Sequence, residues 1–287
     1  MSVVLGVDIG GSHITVALVD LHKRSVVTGS GKRKLVNARG SASQILDTWC
    51  EVINTVFTGM PAESRRIGIA MPGPFNYKEG ISLIEDQDKF RSLYKMNIKL
   101  LLAERLGMAA ESIRFVNDAA SFLQGEVFCG AARHYHRVLG FTLGTGLGSA
   151  IYKEGVATDA DLWKTTFRNV IAEDYLSTRW FTGRYEELNG ESISGVKEIL
   201  EENDQAIIKQ LFLEFSENLG AFLLPQLSHF NTEAVVFGGN ISNAHAHFLP
   251  TLEQFFKKRQ LNIVLKKAQL NEDASLLGAA SCWDIDK

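Results

Sequence analysis

The chain opens on an apolar run, Val3-Val4-Leu5-Gly6-Val7-Asp8-Ile9, that breaks at Gly10-Gly11-Ser12 and resumes through His13-Ile14-Thr15-Val16-Ala17-Leu18-Val19-Asp20. Two such runs around a Gly-Gly turn predict a β-hairpin. A third strand is expected near 26–29. Ile45, Trp49, Val52, Ile53 and Val56 recur at helical spacing and predict an amphipathic helix over 42–57. Residues 67–70 read as a short strand running into Pro72-Gly73-Pro74, a forced turn. A helix over 97–106, a strand over 113–116 and a helix from Asn117-Asp118 to about Phe128 follow. Strands over 138–143 and 147–152 flank Gly144-Thr145-Gly146. From Ile171 the pattern turns helical, and its longest helix spans 203–228 with Ile208, Leu211, Phe212, Phe215, Leu219, Phe222 and Leu223 on one face. Residues 234–237 form a buried strand ending in Gly238-Gly239, followed by a helix over 243–258, a strand over 263–265 and a terminal helix over 273–283. A hairpin opens each half, which predicts an α/β chain of two domains with related plans and a cleft between them.

Composition narrows the function classes. The chain has 287 residues, 45% hydrophobic and 22% charged, as a soluble globular enzyme does. A net charge of −3 argues against non-specific nucleic-acid binding, which needs a basic face. No segment approaches the length of an uncharged transmembrane helix, so no membrane association is expected. The N-terminal run carries Asp8 and does not read as a signal peptide. Cys50, Cys129 and Cys282 are widely spaced and odd in number, which reads as free thiols, buried as small apolar filler, in a reducing, cytoplasmic compartment.

Four glycine turns follow apolar strands: Gly10-Gly11, Pro72-Gly73, Gly144-Thr145-Gly146 and Gly238-Gly239. Singly, each merely reverses the chain. Together they have the parts an ATP-using phosphotransferase needs. Asp8 at a strand end suits a hydrated magnesium ion, held through water. Gly10, Gly11 and Ser12, and in the other half Gly144, Thr145 and Gly146, let backbone amides approach phosphate oxygens. Gly238 and Gly239 let a backbone approach a flat ring, as an adenine or ribose site requires. There is no G-x-x-x-x-G-K-[ST] loop and no strand leading through G-x-G-x-x-G into a helix.

The order of these motifs resembles that of ROK-family sugar kinases, in the superfamily of actin, sugar kinases and heat-shock ATPases. The stretches that carry the resemblance are GVDIGGSHITVALVD, IGIAMPGPFNYKEG, FVNDAASFLQGE with GAAR, FTLGTGLGSAI, AVVFGGNIS and ASLLGAA. The resemblance implies two ribonuclease-H-like domains closing on ATP and a hexose, the actin-like ATPase fold. It implies a smaller domain of residues 1–117 with 274–287, to which the last helix returns, and a larger one of 118–273. It implies Asp118 as general base toward a sugar hydroxyl, Asn117 as a sugar contact, Gly73 in the sugar loop, and a homodimer as the expected assembly. Asp118 also reads as an ordinary helix cap, and the two readings are compatible.

Two segments depart from the family pattern. Glu85-Asp86-Gln87-Asp88-Lys89-Phe90 stands where an Asn-Leu-x-Trp-like segment is usual; Gln87 and Asp88 suit sugar hydroxyls, and equally a solvated loop. Between Tyr152 and Phe181 there is no cysteine and no histidine, which excludes thiolate or imidazole ligation of the family's structural zinc. There Asp161 is the expected substitute for the sugar-binding glutamate. Trp163 is placed either against the sugar or as filler, and with Phe167 is expected to hold the segment down. His245 and His247, two apart on a helix, are not a metal pair. The expected activity is ATP-dependent phosphorylation of a hexose or N-acetylhexosamine. The alternative is a non-catalytic sugar sensor without a DNA-binding domain; a filament protein fits Asn117-Asp118 and Pro72-Gly73-Pro74 poorly.

Overall fold

The computed structural model describes residues 3–202 and 204–284. The ends of the first expected domain, residues 1, 2 and 285–287, lie outside the described residues, as does 203, the expected start of the longest helix. The chain divides into two compact units, Met1–Gly130 with Glu272–Lys287, and Ala131–Asn271.

The first unit begins with β1 (Val3–Ile9), β2 (His13–Asp20), β3 (Ser25–Val26) and β4 (Lys32–Leu35). Helix α1 (Ala42–Phe57) follows, then β5 (Ile67–Met71), β6 (Phe75–Asn76), β7 (Ile81–Ser82), α2 (Ile98–Leu106), β8 (Ile113–Asn117) and α3 (Asp118–Phe128). The main sheet runs β3-β2-β1-β5-β8, with β4 also on β2. The β1–β2 pair is antiparallel; β1, β5 and β8 are parallel. Helix α1 starts at Ser41 because of a reciprocal cap: Ser41 Oγ accepts the Gln44 N–H at 3.3 Å, and Gln44 Oε1 accepts the Ser41 N–H at 2.9 Å. Its apolar stripe buries Ile45, Leu46, Trp49, Val52, Ile53 and Phe57, and Trp49 meets Phe90 edge-on at 5.5 Å. Each such fully buried large side chain contributes about 1.5–3 kcal/mol.

The second unit repeats the plan. It contains β9 (Val138–Leu143), β10 (Leu147–Lys153) and β11 (Val156–Asp159), then β12 (Thr166–Phe167) and β13 (Val170–Ile171). Next come α4 (Ala172–Leu176), α5 (Thr178–Asn189), α6 (Val196–Glu202) and α7 (Gln205–His229). It closes with β14 (Ala234–Gly238), α8 (His245–Lys257) and β15 (Val264–Lys267). The sheet order β11-β10-β9-β14-β15 has the same strand directions as the first: an antiparallel hairpin followed by parallel neighbours. Helix α7 is capped by Asp204, whose Oδ1 accepts the N–H groups of Ala206 and Ile207, and its Phe212, Phe215 and Phe222 form the centre of the unit's core.

Three differences from the sequence expectation have physical causes. The strand expected near 26–29 stops at Val26, because Gly29 sits at φ 78° and turns the chain. Strand β4 is a basic edge strand, Lys-Arg-Lys-Leu, with no apolar alternation to betray it. The first unit keeps α3 and ends at Gly130, where a boundary at 117 was expected.

Helix α3 stays because of α9 (Asp273–Ser281), which returns to the first unit and packs on α3, β1 and β5. The contact is backbone against backbone. A Cβ on Gly278 would fall into the Ser121 carbonyl, one on Gly68 into the Ala279 carbonyl, one on Gly6 into the Leu276 carbonyl, and one on Gly125 into the Ala274 carbonyl. Ser121 Oγ donates to the Ser275 carbonyl at 2.8 Å across the same seam. We expect Gly278→Ala to lower unfolding stability by about 3 kcal/mol, the upper range for overpacking a rigid contact. Gly183→Ala, in α5 with open space around it, should be neutral or stabilising by about 1 kcal/mol. Urea unfolding of the two variants checks this; equal midpoints would mean that the seam opens freely.

Candidate active site

In the first unit, the carboxyl ends of β1, β5 and β8 lie along one edge of the sheet, because the three strands are parallel. Asp8, the Pro72-Gly73 turn and Asn117-Asp118 therefore come from the same edge, where open α/β sheets bind ligands. The β1–β2 turn stands beside them. Its Gly10 N–H is committed to the His13 carbonyl at 2.9 Å, which closes the turn. The amides of Gly11 and Ser12 have no hydrogen-bond acceptor among the described residues. Ser12 Oγ lies 2.7 Å from His13 Nδ1 at the exposed tip.

Asp8 pairs across to Thr15 on β2 and Ala70 on β5 and is only partly exposed. Its pKa is raised from 3.8 to about 7, first by burial and then by the charge of Asp118. Arg33 opposes the rise, and Glu272 adds to it. Arg33 is shared, since its Nη1 lies 2.8 Å from Glu272 Oε2. The charge of Asp118 thus bears on Asp8 at the sheet edge, an arrangement that favours a cation beside Asp8.

Asn117, rather than Asp118, is the cap of α3. Its Oδ1 accepts the Ala120 N–H at 3.0 Å, and its Nδ2 donates to Tyr77 Oη at 3.1 Å. Asp118 is the first helical residue, exposed, and its Oδ1 accepts the Ala119 N–H at 2.9 Å. Tyr77, which the sequence did not single out, ties this corner together by donating to the Met71 carbonyl at 3.2 Å. Gln87 Nε2 donates to the Gly73 carbonyl at 3.0 Å, so these two expected sugar-loop residues meet. Asp88 is exposed and paired with Arg39 at 2.9 Å. Gly11, Gln87, Asp88 and Lys89 line one cavity of about 500 Å³.

In the second unit the β9–β10 turn repeats the β1–β2 arrangement. Gly144 N–H is committed to the Gly146 carbonyl at 3.1 Å, and the amides of Thr145 and Gly146 have no acceptor among the described residues. Gly238 ends β14. Gly239 has φ 80°, and a Cβ there would fall into the Leu143 carbonyl, so glycine is needed for the close approach to the end of β9. Asp161 is exposed in a left-handed conformation, with its N–H on Asp159 Oδ1 at 2.8 Å and its carboxylate paired with Lys164. Its neighbour Leu162 anchors the segment: it is buried in the unit's core, and its N–H donates to Ser149 Oγ at 2.9 Å. The expectation that Trp163 holds this segment is corrected, since Trp163 is 42% exposed. Phe167 does pack, edge-on to Tyr175 at 5.4 Å and to Phe222 at 5.8 Å.

Among the described residues no group of three or more His, Cys, Asp or Glu is placed to hold a metal ion. The His247 ring stacks on Phe212 at 5.0 Å. Burial pushes the thiols of Cys50 and Cys129 up to about 11, which keeps them protonated at neutral pH. Arg33, Tyr77, Glu173 and Thr178 all touch the candidate site elements and were missed, because each acts across a sequence gap that no local pattern reports.

Comparison with known proteins identifies the family and the fold. A model of the ROK family matches residues 4–159 and 170–285. The unmatched 160–169 is the segment anchored by Leu162. The chain is 25% identical to the N-acetyl-D-glucosamine kinase of Histophilus somni, over 97% of this chain and 98% of that one. It is 28% identical to the glucokinase of Thermotoga maritima over 158 residues, 53% of this chain but only 44% of that protein. The crystal structure of the ROK hexokinase from Thermus thermophilus, 19% identical, superposes with a TM-score of 0.79 and covers 99% of this chain and all of that one. The repeated sheet plan is thus that of the actin-like ATPase fold, and with a family match over nearly the whole length, the chain belongs to the ROK family.

Proposed function

We propose that this chain is an ATP-dependent kinase that transfers the γ-phosphoryl group of MgATP to a hydroxyl of a hexose or an N-acetylhexosamine. The observation that carries the reading is that Asp8 and Asp118 come from the same carboxyl edge of β1 and β8, where the charge of Asp118 helps to raise the pKa of Asp8. Full-length relatives that are N-acetyl-D-glucosamine kinases put N-acetylhexosamines at the head of the candidate substrates.

Each residue has a distinct task in this reading. A sugar hydroxyl is a very weak acid, so Asp118 takes its proton only as the bond to phosphorus forms. Asn117 caps the helix in its place, so Asp118 is engaged only through Oδ1, by the Ala119 N–H. The Nδ2 of Asn117, held by Tyr77, and the Gly73 carbonyl, held by Gln87, face the sugar. Asp161 on its short turn and Asp88 supply further hydroxyl contacts. Asp8 would hold the magnesium of the nucleotide through water, and a cation there would offset the burial and the charge of Asp118 that raise its pKa. The unpaired amides of Gly11, Ser12, Thr145 and Gly146 receive phosphate oxygens, and Gly238-Gly239 the adenosine. A sensor that had lost catalysis would be expected to lose Asp8 or Asp118, and both are present. Cys50 is buried, while Cys129 and Cys282, expected to be buried too, are only half-buried; that none of the three is in a disulfide fits a reducing, cytoplasmic setting.

The first test is ADP release across hexoses and N-acetylhexosamines; no turnover with any of them would end the kinase reading. With the sugar identified, Asp118→Asn should lower kcat by about 100-fold or more, while sugar Kd changes by less than about threefold. Near wild-type turnover in that variant would leave the reaction without its base.

Stability should carry the mark of Asp8. Its folded pKa lies above its ordinary value, so ionising it in the folded protein costs stability. The cost is absent below about pH 4, grows as pH rises, and is complete above about pH 7. At about 1.4 kcal/mol per tenfold change, the ceiling is about 4 kcal/mol, and the partial contact of Asp8 with water lowers it. Without nucleotide, Asp8→Asn should gain stability relative to wild type as pH rises from 4 to 7. Parallel stability curves for the two proteins over that range would contradict the assignment.

A further inference from the structure

Residues 85–90 depart from the usual family pattern, and their loop is held at three points. Gln87 Nε2 donates to the Gly73 carbonyl at 3.0 Å. Asp88 pairs with Arg39 at 2.9 Å. The Phe90 N–H donates to the Ala38 carbonyl at 2.7 Å, and the Phe90 ring is buried edge-on against Trp49. Among these anchors Lys89 lays its side chain along the β1–β2 turn, so that a Cβ on Gly11 would lie 3.3 Å from Lys89 Cδ. Lys89 is half-buried, and no acceptor among the described residues pairs with its ammonium group. The nearby arginines are engaged, Arg33 by Glu272 and Arg39 by Asp88.

Ordering a lysine side chain costs up to about 2 kcal/mol of rotamer freedom. An unpaired lysine held against a turn therefore calls for an anion. The Gly11 and Ser12 amides beside it also lack an acceptor among the described residues, and such a group of donors suits phosphate oxygens. The loop joins two elements of the site: Gln87 holds Gly73 of the expected sugar loop, and Lys89, two residues on, reaches the phosphate turn. The phosphate that lies between a sugar and such a turn is the terminal one. The charges point the same way. Asp8 and Asp118 come from this sheet edge, and a phosphoryl group in transfer spreads more negative charge over three oxygens. A fixed ammonium group opposes that charge without having to reorganise. We propose that Lys89 binds the γ-phosphate of ATP and stabilises the phosphoryl group as it passes to the sugar. This rests on the kinase reading and adds to it a cation that comes from the departing loop.

The test compares MgATP with MgADP, which lacks the phosphate in question. Lys89→Met keeps the aliphatic stem and removes the charge. In titrations without sugar it should weaken MgATP about tenfold and leave MgADP within about twofold, so the wild-type preference for MgATP over MgADP falls about tenfold. Lys89→Arg should keep that preference within about threefold. Lys32→Met, which removes a charge from the exposed edge strand β4, should leave both affinities unchanged. With sugar, Lys89→Met should lower kcat about 100-fold and leave KM for sugar within about twofold. An unchanged preference for MgATP in Lys89→Met, or the same loss in Lys32→Met, overturns the proposal. A wild type that binds MgATP but phosphorylates no sugar fails the kinase reading alone, and the MgATP-to-MgADP preference still decides whether Lys89 meets the terminal phosphate.

Discussion

The first unit depends on a contact made without side chains. Helix α9 lies so close to β1, β5 and α3 that Gly6, Gly68, Gly125 and Gly278 leave backbone touching backbone. Side chains in a core adjust by rotamer; a seam of main chain has no such freedom. The seam fixes α9 against β1, which carries Asp8 near its end, and β5, which runs into Pro72-Gly73. It also fixes α3, whose first residue is Asp118, so the spacing of the two carboxylates follows from the glycines beneath them.

The two units solve the same problem with the same plan and finish it differently. In each, an antiparallel hairpin leads into parallel strands, and a glycine turn commits its first amide to itself and leaves the next two unpaired. In the first unit the turn lies beside Lys89, whose side chain approaches Gly11. In the second, the Glu173 carboxylate accepts the Leu147 N–H just after the turn, and Thr178 donates to the Gly144 carbonyl. Where the family model finds no match, residues 160–169, the chain uses Leu162 as an apolar plug, and the small β12–β13 hairpin follows directly.

What was legible in the sequence was whatever is written locally. Helix α1 is readable to the residue because its cap, Ser41 with Gln44, and its apolar stripe all lie within one short stretch. The paired glycine turns are readable because glycine after an apolar strand has few other uses. Strand β4 was invisible, since an edge strand of lysine and arginine carries no burial signal. The hold on this segment was assigned to Trp163 because a large aromatic suggests burial, while the smaller Leu162 beside it is the one that faces the core. The partners that meet at the candidate site, Tyr77 with Asn117 and Glu173 with Leu147, are 40 and 26 residues apart along the chain. Only the folded geometry brings them together.

The return of α9 also orders events at the ribosome. Residues 131–271 close a core of their own, whereas one face of the β1–β5 sheet waits for a helix synthesised only after all of them. During translation, then, the earlier-made unit is the later one to be completed. Its apolar strands, Val3–Ile9 and Ile67–Met71, stay uncovered on that face while the second unit is being made. Such a chain has reason to engage a chaperone through its N-terminal strands, and slow translation between residues 131 and 271 would lengthen the exposure.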